Sequence, residues 1–247
     1  MSTYVISDIH GCYTAFMKLL EKVGFSNEDR LIIAGDIIDR GPENFEMLMW
    51  LENKPSNVEI LMGNHEYDFT YASVPAALES IDPYDQEAGF KDVVIDPYYD
   101  QYGTVRELIE KGVSPGRLAY WAQLMRRFKF YRILKLNGKK YIIVHASYVS
   151  EEKYKRLNGT FEGISDYYIW NRDAFFYDEG RGDTIIFGHT PTIFDKDYFA
   201  DGKVYRVKYQ GNTFIDIDCG YVYKMHYHNA NMAMIRLEDE SIIYLDE

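Results

Sequence analysis

Short apolar runs alternate with polar, glycine-bearing turns along the first sixty residues. Tyr4 to Ser7, Leu31 to Ala34 and Val58 to Met62 are rich in β-branched and aliphatic residues, and each ends at a turn carrying Gly or Asp. Uninterrupted apolar runs of this kind read as strands covered on both faces. Between the first two, Phe16, Leu19, Leu20 and Val23 recur at the i, i+3, i+4, i+7 spacing of one helical face, and Gly24 stands where a C-terminal cap belongs. Between the next two, Pro42 opens a segment whose Phe45, Leu48 and Met49 share a face until Asn53-Lys54-Pro55 stops it. The pattern predicts a βαβαβ unit with right-handed crossovers and parallel strands.

From Asp68 to Arg127 no clean period runs through most of the chain. Tyr71, Tyr84, Tyr98, Tyr99 and Tyr102 mix with acidic residues, Pro83 and Pro97. This predicts an insertion at about 68–127, helical in its later part (Val105 to Lys111 and Arg117 to Phe128), forming a lid or flap rather than a separate domain. Its tyrosines read as loop packing, and Trp170 as a core or positioning residue. Strands resume with Phe130 to Leu136, the Asn137-Gly138 hairpin turn and Lys140 to Val144. Thr184 to Phe187, Thr213 to Ile217 and Met232 to Tyr244 complete a β-rich second half, and His226 and His228 alternate on an apparent surface strand.

Composition narrows the class. A chain of 247 residues with 47% apolar content can bury a full core, and one α/β domain over residues 1–247 is expected. The formal net charge of -12, without any Lys/Arg run to form a basic groove, argues against a nucleic-acid partner. No stretch approaches the roughly 20 apolar residues that cross a bilayer. Too few residues precede Asp8 for a signal peptide, so a cytoplasmic protein without a membrane partner is expected. Two cysteines, Cys12 and Cys219, exclude a disulfide framework and read as buried packing residues.

Chemistry concentrates in five polar clusters: Asp8-Ile-His10-Gly11, Gly35-Asp36-Ile-Ile-Asp39-Arg40-Gly41, Gly63-Asn64-His65-Glu66, Val144-His145-Ala146 and Gly188-His189-Thr190. Each follows an apolar run, at the strand ends where loops of neighbouring strands face one another. Two cations a few ångströms apart need a shared anionic oxygen and further nitrogen or oxygen donors. Asp8 and His10 can share one metal if the chain bends just after its strand, which Gly11 permits. Asp36 is the candidate bridging carboxylate, with Asn64, His145 and His189 around the second metal. Imidazole, carboxylate and amide ligands without thiolate favour Mn, Fe or Zn. Water between two such cations loses a proton near neutral pH and becomes a nucleophile for phosphorus. Arg40 and Arg172 are candidate guanidinium forks for the phosphoryl oxygens. His65, oriented by Asp39, is the candidate acid for the leaving oxygen.

In this order the clusters resemble the phosphoprotein phosphatase family of metallophosphoesterases, over residues 4–66 and 141–220. The resemblance implies a β-sandwich of two mixed sheets flanked by helices, a dinuclear centre and single-step hydrolysis of phosphomonoesters. By motif position it puts metal ligands at Asp8, His10, Asp36, Asn64, His145 and His189, phosphate arginines at Arg40 and Arg172, and an acid with its partner at His65 and Asp39. Ile217-Asp218-Cys219-Gly220 resembles the closing strand end of the family. The spacing before His145 looks like the bacterial and bacteriophage serine/threonine phosphatase branch, with Mn the expected metal and a phosphorylated protein or small phosphoester the expected substrate. Asp8 to Tyr13 also resembles the start of symmetrical diadenosine tetraphosphatases, the alternative. A non-catalytic metal-binding protein would not need His65, Asp39 and Arg40 together.

Overall fold

In the computed structural model, residues 1–80, 100–156, 163–173, 177, 179–194 and 201–246 are described. Strands β1 (Thr3–Ile6), β2 (Arg30–Ile33) and β3 (Val58–Ile60) pair in parallel, joined by helices α1 (Tyr13–Lys22) and α2 (Asn44–Asn53). Helix α1 buries the predicted face through Ala15, Phe16, Leu19 and Leu20, and Gly24 leaves it at φ +62°. On the other side of β1, β9 (Ala233–Arg236) pairs antiparallel and β10 (Ser241–Tyr244) follows it, giving the order β10-β9-β1-β2-β3.

The second sheet runs β4-β5-β6-β8-β7. Its strands are β4 (Tyr131–Leu136), β5 (Lys139–Val144), β6 (Thr184–Phe187), β7 (Tyr205–Tyr209) and β8 (Asn212–Asp216). The fold is thus α/β, two mixed five-stranded sheets among the described residues with helices outside them. The period of two along each strand divides its side chains between layers. Val5, Ile32, Ile143, Ile186, Ile215 and Ile235 join in the core shared by both sheets. Tyr4, Ile6, Leu31 and Ile33 face the other way and pack with α1 and α2.

The expected insertion begins where α3 (Asn64–Asp68) ends, with a π-helical turn at Phe69–Ser73 and α4 (Val74–Glu79), and resumes as α5 (Thr104–Glu110) and α6 (Pro115–Met125). Tyr84, Tyr98, Tyr99, Pro83 and Pro97 lie outside the described residues. The described helices are not a lid. Val105, Leu108, Leu118, Trp121 and Met125 are fully buried in the same core as Phe16 and Leu48. Leu118, Trp121, Ala122 and Met125 follow the i, i+3, i+4, i+7 spacing, which the aperiodic stretch ahead of them obscured.

Other differences have local causes. Met232 to Tyr244 is two strands, because the chain reverses before β10 with Glu240 at φ +56°. His226 and His228 are exposed as expected but lie in turns, where Lys224 Nζ donates to the His228 and Ala230 carbonyls. Strand β7 escaped notice because it is a polar edge carrying Arg206 and Lys208. Helices α7 (Glu151–Arg156) and α8 (Ile164–Ile169) are too short to show a period. Cys12 and Cys219 are buried and unbridged, and among the described residues no helix is long and apolar enough to cross a membrane.

Candidate metal centre

All five motif loops meet. The loops after β1 and β2 are zipped by backbone bonds from Asp8 N to Gly35 O (3.1 Å), His10 N to Asp36 O (2.9 Å) and Gly11 N to Ile37 O (2.8 Å). Asn64 and His65 open α3 just after β3. His145 and His189 follow β5 and β6, and Gly188 N donates to His145 O at 2.9 Å. The six expected ligands are each at most 5% exposed.

The bend needed between strand and site is made by the functional residues themselves. Asp8, His10, Asp36, Asp39, Arg40 and His189 all have φ between +47° and +71°, a region that side chains with a Cβ rarely occupy. Each costs about 1–3 kcal/mol, a cost met only where surrounding contacts over-determine the loop. Glu66 supplies several of those contacts: its carboxylate accepts from Asp36 N (2.8 Å), Ile37 N (2.8 Å) and Gly63 N (3.0 Å). Asn44 accepts from Asp39 N at 2.8 Å and donates to Gly41 O at 2.9 Å. Close approach explains two glycines. A Cβ on Gly63 would lie 2.2 Å from Asp36 Oδ1, and one on Gly188 would lie 2.0 Å from Asp8 Oδ2.

Lone pairs converge on Asp36. His145 Nδ1 donates to Ala34 O (2.8 Å), which leaves Nε2 facing Asn64 Oδ1 (3.0 Å), His189 Nδ1 (3.1 Å) and Asp36 Oδ2 (3.3 Å). On the other side of the same carboxylate oxygen are His10 Nε2 (3.6 Å) and His65 Nε2 (3.7 Å). His10 Nδ1 donates to Ile38 O (3.0 Å), so its Nε2 also presents a lone pair, here met by Arg40 Nη1 at 2.6 Å. Asp8 accepts from His189 N through both oxygens (3.2 and 3.0 Å) and lies 3.8 Å from His10 Nε2. Packed acceptors repel unless a cation lies among them. His10, Asp36 and His65 form one group of atoms able to hold a metal ion, and Asp36, His145 and His189 another. Nitrogen and oxygen donors sharing one carboxylate oxygen fit a pair of divalent cations.

Charge follows the same geometry. Burial works against ionising Asp36, but His145 and His65 outweigh it and hold the carboxyl well below its usual range. Without a cation among these groups, burial opposes the charge on His145, yet Asp36 and then Asp8 push it up to about 10, so a proton sits on the Nε2 lone pair until a cation displaces it. Burial and the positive His145 drive His189 down to about 2. His65 Nδ1 sits 2.7 Å from Asp39 Oδ2. Burial lowers that imidazole, and the two carboxylates Asp36 and Asp39 more than compensate, raising it above the ordinary value.

Arg40 and Arg172 both reach the rim. Arg172 Nη1 donates to Thr190 Oγ1 (3.0 Å) and, at 3.4 Å, to His189 O. Two aromatic residues missed as site neighbours lie beside them. The Tyr102 ring, expected as loop packing, is 4.4 Å from the His65 ring with the Arg40 guanidinium 5.4 Å over it. Trp170, expected as a core or positioning residue, is 40% exposed and not in the core, with its ring 6.3 Å from His189. Thr104 was also missed: its hydroxyl donates to the second oxygen of Asp39. Asp218, buried near the site, has one oxygen on Gly220 N (2.9 Å), and burial and then Asp8 push its carboxyl well above its usual range. Of these, Asp218 alone had a signal, in the closing strand end.

The model of the calcineurin-like phosphoesterases matches residues 1–217. Over 83 residues, 32% of this chain, 45% are identical to a symmetrical bis(5'-nucleosyl)-tetraphosphatase of Buchnera aphidicola subsp. Baizongia pistaciae (strain Bp), covering 30% of that protein. Over 111 residues, 44% of this chain, identity is 37% to the enzyme of the same name from subsp. Acyrthosiphon pisum (strain Tuc7), covering 35% of it. The matched segments thus span about a third of these relatives' length. Among solved structures, a cold-active protein-tyrosine phosphatase of a psychrophilic Shewanella species superposes with a TM-score of 0.53 at 18% identity. That match covers 99% of this chain and 80% of the other, and shows a shared fold.

Proposed function

Given that this chain belongs to the calcineurin-like phosphoesterase family, and is therefore a metallophosphoesterase, we propose that it hydrolyses dinucleoside tetraphosphates symmetrically. Water and one dinucleoside tetraphosphate give two nucleoside diphosphates. The observation that carries this choice is the 45% identity over 83 residues to an enzyme with that activity in its name. It reverses the order expected from the motifs alone, which put protein phosphatase ahead.

Asp8, His10, Asp36, Asn64, His145 and His189 would hold two divalent cations, with the His10 and His145 Nε2 atoms 3.6 and 3.3 Å from Asp36 Oδ2. When bound, the cations supply Lewis acidity and acidify water; Mn is the first candidate, with Fe and Zn the others. Arg40 and Arg172 bind the phosphoryl oxygens, their planar forks matching two oxygens at once. Asp39 fixes His65 with its proton-bearing Nδ1 inward and Nε2 toward Asp36, and His65 hands a proton to the leaving oxygen. The side chains that would hold the cations are almost wholly buried, which strengthens their electrostatic interactions.

One observation favours a second reading, hydrolysis of phosphoserine or phosphothreonine. A nucleoside diphosphate leaves readily, whereas an alkoxide needs the proton that the Asp39–His65 pair is arranged to give. The test is kcat/KM of metal-depleted protein with Mn added back, on diadenosine tetraphosphate, an aryl phosphate and a phosphopeptide panel. The first reading requires the dinucleotide to exceed the others by at least an order of magnitude. A phosphopeptide at the top replaces it with the second. The two unbridged buried cysteines and the acidic composition suit the cytoplasm, with small phosphoesters rather than nucleic acids or membranes as partners.

A further inference from the structure

Helix α5 carries none of the five motifs, yet residues 102–107 reach Asp39, Asn44 and His65. The Thr104 hydroxyl donates to Asp39 Oδ1, while the other oxygen, Oδ2, lies 2.7 Å from His65 Nδ1. Glu107, three positions on and so on the same helical face, accepts from Asn44 Nδ2 at 3.1 Å. Asn44 in turn accepts from Asp39 N (2.8 Å) and donates to Gly41 O (2.9 Å). Just ahead of the helix, the Tyr102 ring lies 4.4 Å from that of His65.

These contacts fall on a strained loop. Asp39 and Arg40 have φ of +71° and +66°, conformations that persist only where neighbours over-determine them. A carboxylate bonded through one oxygen can still swing about its Cβ–Cγ bond, and an imidazole bonded to that oxygen swings with it. A donor on the second oxygen fixes the carboxylate plane, and with it the direction in which His65 Nε2 points. Thr104 can do this because α5 is itself fixed. Asp100 accepts from Val105 N (3.1 Å) and Arg106 N (2.9 Å), and Gly103 turns the chain into the helix at φ +72°. Val105 and Leu108 are fully buried in the core beside α1 and α2. Thr104 and Asp39 are themselves buried, which keeps water from competing for their bond.

We propose that Thr104 is a positioning residue for the proton transfer: its hydroxyl sets the plane of the Asp39 carboxylate, and Asp39 aims His65 at the leaving oxygen. As the P–O bond breaks, its electron pair goes to that oxygen, which takes the proton from Nε2. The inference rests on the reading of His65 as the acid. It goes beyond that reading by assigning a residue that reaches the centre only through Asp39, and it ties the core packing of α5 to the chemistry.

Kinetics of Mn-loaded variants test it on two substrates, an alkyl phosphate, whose leaving oxygen needs a proton, and an aryl phosphate, whose leaving oxygen does not. Thr104→Val removes the hydroxyl at nearly constant volume. It is expected to lower kcat on the alkyl phosphate about tenfold, the worth of one hydrogen bond to a charged group, with KM and the aryl rate within about twofold of wild type. Thr104→Ser keeps the hydroxyl and should retain the alkyl rate. Thr104→Ala replaces Thr104→Val in the comparison if the latter does not fold. In a His65→Asn background, Thr104→Val should cost nothing further. An unchanged alkyl rate, equal losses on both substrates, a Thr104→Ser variant as slow as Thr104→Val, or a loss that persists in the His65→Asn background each overturns the inference. If His65→Asn loses the alkyl rate and Thr104→Val does not, the acid reading stands and the part given to Thr104 falls. If His65→Asn spares the alkyl phosphate, the acid reading itself has failed and the inference falls with it.

Discussion

Nδ1 of His65 lies 2.7 Å from Oδ2 of Asp39, while Nε2 of the same ring points at the centre without a hydrogen-bond partner among the described residues. One nitrogen is thus held and the other is free to work. A positioned acid is worth about 10²–10⁴ in rate when the leaving group is a poor one. His65→Asn is expected to lose that factor on an alkyl phosphate and far less on an aryl phosphate or a phosphoanhydride. Plotting log kcat against leaving-group acidity checks it: the slope steepens in the variant, and an unchanged slope removes His65 from proton transfer.

Glu66 never reaches substrate, because it is fully buried with three backbone N–H groups on its carboxylate. Burial and the neighbouring Asp36 push that carboxyl up to about 7, and the backbone N–H groups of Asp36 and Ile37, with His145, pull against them. Glu66→Ala leaves those donors unpaired and is expected to destabilise the fold by about 3 kcal/mol. Urea denaturation of the metal-depleted protein is the suitable measurement, since bound metal would add its own stabilisation.

Gly188→Ala is expected to weaken metal binding by more than tenfold while leaving the fold intact. The new methyl would fall 2.0 Å from Asp8 Oδ2, so either the carboxylate or the loop after β6 must move. Shifts of that size in ligand-orienting groups cost 10–100-fold in affinity. Calorimetric titration with Mn reads the loss directly, and circular dichroism checks the fold.

Glu59 joins the two sheets at one edge: from β3 it pairs with Arg30 of β2 (3.1 Å) and with Arg132 of β4, whose Nε lies 2.9 Å away. Burial works against its charge, but Arg132 and then Arg30 outweigh it, so the carboxyl titrates below its ordinary 4.5. A depressed folded-state value means stability that is present above the unfolded pKa and lost as pH falls through the folded one. Glu59→Gln is therefore expected to cost about 1 kcal/mol near neutrality, given its partial exposure. The gap between variant and wild type should close as pH drops below 4.5. Denaturant melts across that window measure it.

What the sequence disclosed follows from how tightly chemistry constrains residue type. That Asp8, His10, Asp36, Asn64, His145 and His189 come together was legible, because a dinuclear centre would need such donors at strand ends, and the strands were legible from their apolar runs. Tyr102 and Thr104 were not, since each meets its partner across a long stretch of chain: Thr104 is 65 positions from Asp39. Neither residue type is demanded there by chemistry. Helices α5 and α6 were legible from their composition, but the same distance hid their packing into the core beside α1 and α2, which are remote in sequence. The bend was anticipated at Gly11, whose φ is +59°, but the left-handed backbone extends to Asp8 and His10 as well.

The central claim is that one carboxylate, Asp36, organises two cations for phosphoester hydrolysis. Counting Mn bound per chain while titrating it into metal-depleted protein, with hydrolysis followed in parallel, tests it most directly. Two equivalents should bind and activity should rise with the second, whereas Asp36→Asn should hold at most one and stay inactive. Saturation of activity at one equivalent, or an Asp36→Asn variant that binds two and turns over, would contradict the account.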